Sequence, residues 1–212
     1  MIRVSSTVWP GLCQWLFAID GMRNPKNSWD KSDTVKAENG YAKLGENDKA
    51  LMIRLIQGGT EHRKFLRMLP VMMEITAPMY WWKEFDTYKV GTVRNSCSTM
   101  HKVMAKEFER KDFSMDGLQD NELDGLIAKL NTLRSLYLNC NDSERKQEYW
   151  RKVIMLLPSC YNVRANVSFN YEIALNMLLQ RRYHKLSEWR TFTDELLELP
   201  YMDNFYEAVK EE

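Results

Sequence analysis

Apolar positions along the first third of the chain alternate between helical spacing and short continuous runs. Trp15, Leu16 and Ile19 recur at helical intervals within residues 9–22, and Gly21 stands where such a helix would stop. The stretch RNPKNSWDKSDTVKAENG that follows has the Asn, Pro, Ser and Asp content of a loop. Its Trp29 reads either as a lid or partner contact or as an indole folded back over the core. From Glu46 a second helix carries Leu51, Ile53, Leu55 and Ile56 up to Gly58-Gly59, and a third, from Thr60, presents Phe65 and Leu66. After Pro70 the run VMMEIT is short and apolar, which predicts a buried strand ending at Ala77-Pro78. Pro78 then suits the first position of a new helix, since its missing N–H has no partner there anyway. On that helix Trp81, Phe85 and Tyr88 form one aromatic face, read as core packing, while Trp82, Asp86 and Lys89 point elsewhere.

This helix should give way near Gly91, leaving TVRNSCST as a loop without apolar periodicity, and KDFSMDGLQDNELDG reads as an acidic surface linker. Leu126, Leu130, Leu133, Leu136 and Tyr137 mark another helix, and Ser143 is placed to cap the next, which runs to Leu156. CYNVRANVSFN alternates Val163, Ala165, Val167 and Phe169 onto one side, as a half-buried strand does. YEIALNMLLQRR and LSEWRTFTDELLEL predict two further helices, and MDNFYEAVKEE a short tail helix. Helices dominate around two well-separated strands. The expected class is therefore α+β, a small, mostly antiparallel sheet covered by helices, in a single domain over residues 1–212.

Composition narrows the partners. With 30 Lys and Arg against 29 Asp and Glu, the chain has no general attraction for nucleic acid or anionic lipid, so anion binding must be local. Cys13, Cys97, Cys140 and Cys160 contain no C-x-x-C pair and are expected to be reduced core or near-core thiols of a cytoplasmic protein. The N-terminal apolar run is interrupted by Pro10, Gly11 and Gln14, unlike a signal peptide or membrane anchor. His62, His101 and His184 lack metal-ligand spacing, so no metal is expected, and phosphate-loop, dinucleotide and nucleophile-elbow motifs are missing. No catalytic residue can be assigned.

The order of parts is more specific. A start at HRKFLR, a buried strand, Ala-Pro, an aromatic helix, a basic position and a Ser/Thr/Asn-rich segment together resemble the flavin-dependent thymidylate synthases (ThyX). Aligned without a gap from Ala77-Pro78, that family's Arg-His-Arg falls on Thr87, Tyr88 and Lys89, and its Ser on Thr92. Its Asn-Glu falls on Arg94 and Asn95, its second Ser on Cys97 and its Arg-Tyr on Thr99 and Met100. A shift of one residue recovers Asn95 and Ser98 instead. Near the C-terminus the family's order of Leu-Pro, strand, Asn and a helix ending in Arg is met by LLP, VRANVSF, Asn170 and Arg181.

What this resemblance implies is a homotetramer with sites between subunits for FAD and a deoxyuridine monophosphate. His62, Trp82, Tyr88 and Lys89 would then face the cofactor, with Trp82 stacking on a base or ring. Arg94, Asn95, Ser96, Ser98, Thr99 and Arg181 would face a nucleotide or nucleotide-like ligand. Most of the family's arginines are replaced here, and lysine or threonine cannot reproduce the two-point grip of a guanidinium on phosphate. Chains with helices like WWKEFDTYKVGTV are similar to phage and gut Firmicutes proteins. Three readings stay open: an active flavoenzyme with altered substrate, a non-catalytic binder that sequesters nucleotide signals, and a structural or interaction protein.

Overall fold

The apolar run after Leu69 does form a strand, but one with two unlike faces. In the computed structural model, which describes residues 1–119 and 121–210, this strand is β4 (Pro70–Pro78). It buries Val71, Met73, Ile75 and Ala77, while Met72 is 49% exposed. β6 (Asn162–Asn170) follows the same rule with Val163, Ala165, Val167 and Phe169, the four positions its alternation predicts. Both strands lie inside a four-stranded sheet of order β1-β4-β6-β5, whose edges are β1 (Arg3–Val8) and β5 (Val93–Ser96). Two residues each make β2 (Val35–Lys36) and β3 (Ala42–Lys43), an antiparallel pair in the register Val35↔Lys43. The fold is α+β, helix-rich around a small antiparallel sheet.

The helices are α1 (Leu12–Arg23), α2 (Glu46–Gln57), α3 (Met79–Phe85), α4 (Asp124–Asn139), α5 (Ser143–Leu156), α6 (Tyr171–Arg181), α7 (Ser187–Leu197) and α8 (Met202–Glu207). The chain divides into two compact units. One comprises Met1–Arg3, Ile75–Thr87 and Asn95–Asn166, the other Val4–Glu74, Tyr88–Arg94 and Val167–Glu212.

In the first unit α3 sets Trp81, Trp82 and Phe85 against one another, the Trp81 and Phe85 rings stacked at 5.1 Å. A second apolar cluster joins Val103, Met104, Phe108 and Phe113 to Leu130 of α4 and Val153 of α5. Phe113 and Leu123 belong to the stretch expected to be a surface linker, so that segment contributes to the core; residue 120 within it lies outside the described residues, as do residues 211–212 of the expected tail helix.

In the second unit Trp15 of α1 meets the rings of Tyr171 and Tyr201 edge-on, each at 5.5 Å. Tyr201 has φ 65, a left-handed conformation unusual for a bulky residue. Its hydroxyl donates to Ala42 O and accepts from Leu44 N–H, both at 3.1 Å, which ties the turn to β3. Arg23, at the end of α1, forms an ion pair with Asp48 of α2 in which both side chains are buried. Asp48 also accepts from Ser32 Oγ, Thr34 Oγ1 and the N–H groups of Asp33 and Thr34. The loop between α1 and α2 is thereby fixed at its base.

Several sequence expectations are corrected. Gly21 does not end α1; a Cβ there would lie 3.1 Å from Met68 Sδ, so the glycine permits a close approach and the helix runs on to Arg23. The helix expected from Thr60 is a pair of tight turns and a 3-10 stretch, Lys64–Met68. α3 stops at Phe85, so Tyr88 leaves the aromatic face. TVRNSCST contains a strand, β5, because its backbone pairs with β6. Asp142 rather than Ser143 caps α5, accepting the Arg145 N–H at 2.8 Å. Cys13 and Cys97 are exposed, not core, and all four cysteines are free. Among the described residues no helix is long and apolar enough to cross a membrane.

Candidate functional site

Arg181 owes its position to α6. Asn170 caps that helix, its Oδ1 accepting the Ile173 N–H at 3.1 Å, and eleven residues later the chain presents Arg181 in the last turn, where a cation complements the helix dipole. The Arg181 Nε donates to the Tyr88 hydroxyl at 3.0 Å, and that hydroxyl donates to Gln180 Oε1 at 2.9 Å. The guanidinium also lies over the Trp189 ring at 5.0 Å. Tyr88 and Trp189 meet edge-on at 6.0 Å, so the two rings and the guanidinium form one packed group. A cation so placed over an indole is stabilised by about 0.5–2 kcal/mol and held in a defined orientation.

Just beyond Tyr88 the chain turns at Gly91, whose φ of 76 suits glycine, with Lys89 and Val90 exposed. Thr92 Oγ1, the next hydroxyl, is buried without a hydrogen-bond partner among the described residues. Arg94 is half-buried and closes this stretch of the second unit.

In the first unit, Asn95 and Ser96 are exposed on the edge strand β5, and the Cys97 N–H continues its pairing by donating to Arg164 O at 2.8 Å. Ser98 Oγ accepts the N–H groups of Met100 and His101, at 3.2 and 3.0 Å, so its oxygen organises the following turn. Thr99 is half-buried beside it.

Trp82 is not a ligand platform. It is 2% exposed, its indole N–H donates to Val163 O at 3.0 Å, and Trp81 and Phe85 occupy its surroundings at 5.0 and 5.3 Å. No face of the ring is open to a base, which corrects the stacking role expected of it. Trp29, by contrast, is 48% exposed, and its indole N–H donates to Asn24 Oδ1 at 2.9 Å.

His62 is exposed in the second unit, on the rim of a groove of about 800 Å³ between the α1–α2 loop and α2. Its neighbour Arg63 is buried, and so is Glu172 in the first turn of α6. Arg63 pairs with Glu172 at 3.5 Å and donates to Asn176 Oδ1 at 2.9 Å, while Arg67 forms a second ion pair with the same carboxylate. This buried group escaped the sequence reading, because more than a hundred positions separate its two halves and neither carries a motif. Among the described residues no group of three or more His, Cys, Asp or Glu could hold a metal ion.

With this geometry in view, the chain can be set beside known structures. Two crystal structures of thymidylate synthase X from Helicobacter pylori, each described as containing FAD and dUMP, superpose on it with TM-scores of 0.69 and 0.64. The fold is that of the ThyX thymidylate synthases. The matches span 99% of this chain and 98–99% of theirs, at 18% and 19% identity. No protein-family model and no curated protein matches the sequence.

Proposed function

We propose that this chain is a divergent ThyX-like protein, one domain over residues 1–212, that binds a nucleotide or nucleotide-like ligand at a site completed between subunits of a homotetramer. The observation that carries the reading is Arg181: the last turn of α6 presents a guanidinium oriented by Tyr88 and Trp189, on a fold shared over its whole length with proteins described with FAD and dUMP. A guanidinium held in this way is suited to an anionic group. Lys89 and Arg94 would add charge, and Asn95, Ser96, Ser98 and Thr99 would supply hydrogen bonds from the edge strand and its turn.

The fit to FAD is judged from Thr92 Oγ1, a buried hydroxyl with no partner in its unit and close in sequence to Tyr88 and Lys89. A hydroxyl in that state can take a polar ligand group, and His62, Tyr88 and Lys89 are the residues that the resemblance would assign to such a cofactor. Trp82 is excluded by its burial. FAD, when bound, would supply redox chemistry. The protein's own contribution would be to orient the ligand and neutralise its charge.

Thr87 and Thr99 are uncharged where the family has arginines, and each lost charge-assisted hydrogen bond costs about 1.5–3 kcal/mol. Two such losses weaken a phosphate grip by a hundredfold or more on the order-of-magnitude scale of about 1.4 kcal/mol per decade. The test is the absorption spectrum and ligand content of freshly purified protein, followed by thermal denaturation with FAD and with dUMP. A flavin spectrum, or a higher melting temperature with either compound, supports the reading. A colourless protein whose melting temperature neither compound raises would leave only the structural role.

A further inference from the structure

We propose that the free edge of β1 pairs with β1 of a second copy of this chain, antiparallel, about a twofold axis at Ser6. β1 ends the sheet order β1-β4-β6-β5, so only one of its two sides has a neighbouring strand. The N–H and C=O groups that point to the other side have no strand partner, and among the described residues no backbone hydrogen bond from outside the sheet reaches residues 4–8. Ser5, Ser6 and Val8 are exposed, and Val4 and Thr7 are half-buried. Proteins usually guard such an edge with lysine, proline or a bulge inside the strand. The segment Val4–Val8 carries no charge and no proline; Arg3 and Pro10 stand at or beyond its ends.

The occupant follows from the strand's own order of residues, which matches its reverse. Turned about Ser6, Val4 falls opposite the partner's Val8, Ser5 opposite the partner's Thr7, and Ser6 opposite its own copy. Residues set opposite one another in this register are an even number of positions apart, so each pair lies on one face of the extended sheet, as the pleat requires. Paired β-branched residues and paired hydroxyls are combinations that stabilise an antiparallel ladder. Arg3, the strand's one charge, is not set against its copy. At each end of the ladder the exposed Val8 leads into the exposed Trp9, whose ring lies 6.3 Å from that of Tyr41, so pairing covers apolar surface as well as backbone. A strand of unrelated sequence would meet the same backbone groups, but only a second copy matches the edge position for position. The contact is isologous, and it closes at two subunits.

This inference rests on the self-association in the proposed function and names one contact that would produce it. It involves none of the residues assigned to the cofactor or the nucleotide.

The test uses the full chain with the exposed Cys13 and Cys97 replaced by serine. Opposite residues of an antiparallel pair have Cα atoms about 4.5–5.5 Å apart, within the span of a disulfide. Ser6→Cys should therefore give a covalent dimer on mild oxidation. Val8→Cys alone should not, because Val8 and its copy stand four residues apart along the ladder, about 13 Å. Mixing Val8→Cys with Val4→Cys should restore the cross-link. Separately, Ser6→Lys sets two like charges opposite one another on an exposed position, and light scattering should show the mass falling by half. The contact is overturned if Ser6→Cys stays uncross-linked, if Val8→Cys cross-links by itself as readily, or if Ser6→Lys keeps the mass of the unaltered chain. Any of these in a chain that still runs as a tetramer removes the β1 contact and leaves the tetramer standing; an unaltered chain that is monomeric removes both.

Discussion

Replacing Asp48 with asparagine isolates the buried ion pair. The Asp48 carboxylate accepts from Arg23 Nε at 2.7 Å, Ser32 Oγ at 2.8 Å, Asp33 N–H at 3.2 Å, Thr34 N–H at 3.1 Å and Thr34 Oγ1 at 2.7 Å. Its side chain is 0% exposed and that of Arg23 only 4%, so water cannot replace what is lost. An asparagine amide turns one of the two oxygens into a donor, which then faces either the Arg23 guanidinium or the backbone N–H groups of the loop. Arg23 is left as a buried charge without a counter-charge. Breaking such a pair from one side costs about 3–5 kcal/mol, a large share of a domain stability of about 5–15 kcal/mol. The assay is urea denaturation followed by tryptophan fluorescence, on Asp48→Asn, Arg23→Met and the double variant. The double variant should be more stable than the sum of the single losses predicts, because it leaves no lone charge. A loss below about 1 kcal/mol in Asp48→Asn, or strict additivity of the two changes, refutes the reasoning.

The same pair sets a pH dependence. Burial works to raise the Asp48 pKa, but hydrogen bonds from Thr34, Ser32 and Arg23 together with the Arg23 charge outweigh it and hold the value below the ordinary 3.8. A carboxyl lowered on folding contributes stability above its unfolded pKa and loses that contribution as pH falls through the folded value. The stability gap between the unaltered chain and Asp48→Asn should therefore be full near neutrality and narrow below about pH 4. A gap that does not change between pH 7 and pH 3 counts against the pair.

Other expectations can be checked alongside. Arg181→Ala should lower affinity for dUMP in calorimetry and also cost about 1–2 kcal/mol in urea denaturation, from the lost Tyr88 bond and Trp189 contact; unchanged affinity for dUMP known to bind the parent removes Arg181 from the site. Trp82→Phe takes the donor from Val163 O and leaves a small void, so a loss of about 1–3 kcal/mol is expected in denaturation. Ligand affinity should stay the same, and a selective loss of binding would restore Trp82 as a contact. Gly21→Ala brings a Cβ to 3.1 Å from Met68 Sδ, the end of a flexible, 43% exposed side chain. The side chain should yield, leaving the alanine's helix preference as a net gain of up to about 1 kcal/mol; a clear destabilisation would show the contact to be rigid.

The parts of the fold legible in the sequence are those whose burial repeats locally. β6 shows its alternation in four consecutive inward positions, and α2 runs from Glu46 to its break at Gly58 as its pattern predicts. β1, β5 and the β2–β3 pair were missed because they are short and largely exposed: what defines them is backbone pairing, which leaves no apolar signature. α3 was drawn too long for a related reason. Tyr88 keeps helical spacing with Trp81 and Phe85, yet its ring packs on Trp189, more than a hundred positions away. At the candidate site, Arg181 could be named from the order of parts near the C-terminus. Its partners Tyr88, Gln180 and Trp189 could not be assembled around it, nor Arg63 joined to Glu172, because those pairings exist only after folding.

The uneven placement of the four thiols offers a practical handle. Cys13 and Cys97 are open to solvent, one in each compact unit, while burial pushes the pKa of the Cys160 thiol up and so lowers its thiolate fraction. Brief exposure to a maleimide dye should therefore label Cys13 and Cys97 first, with the half-buried Cys140 of the first unit following more slowly. Energy transfer between such labels would report whether the distance between Cys13 and Cys97 changes when FAD or dUMP is added.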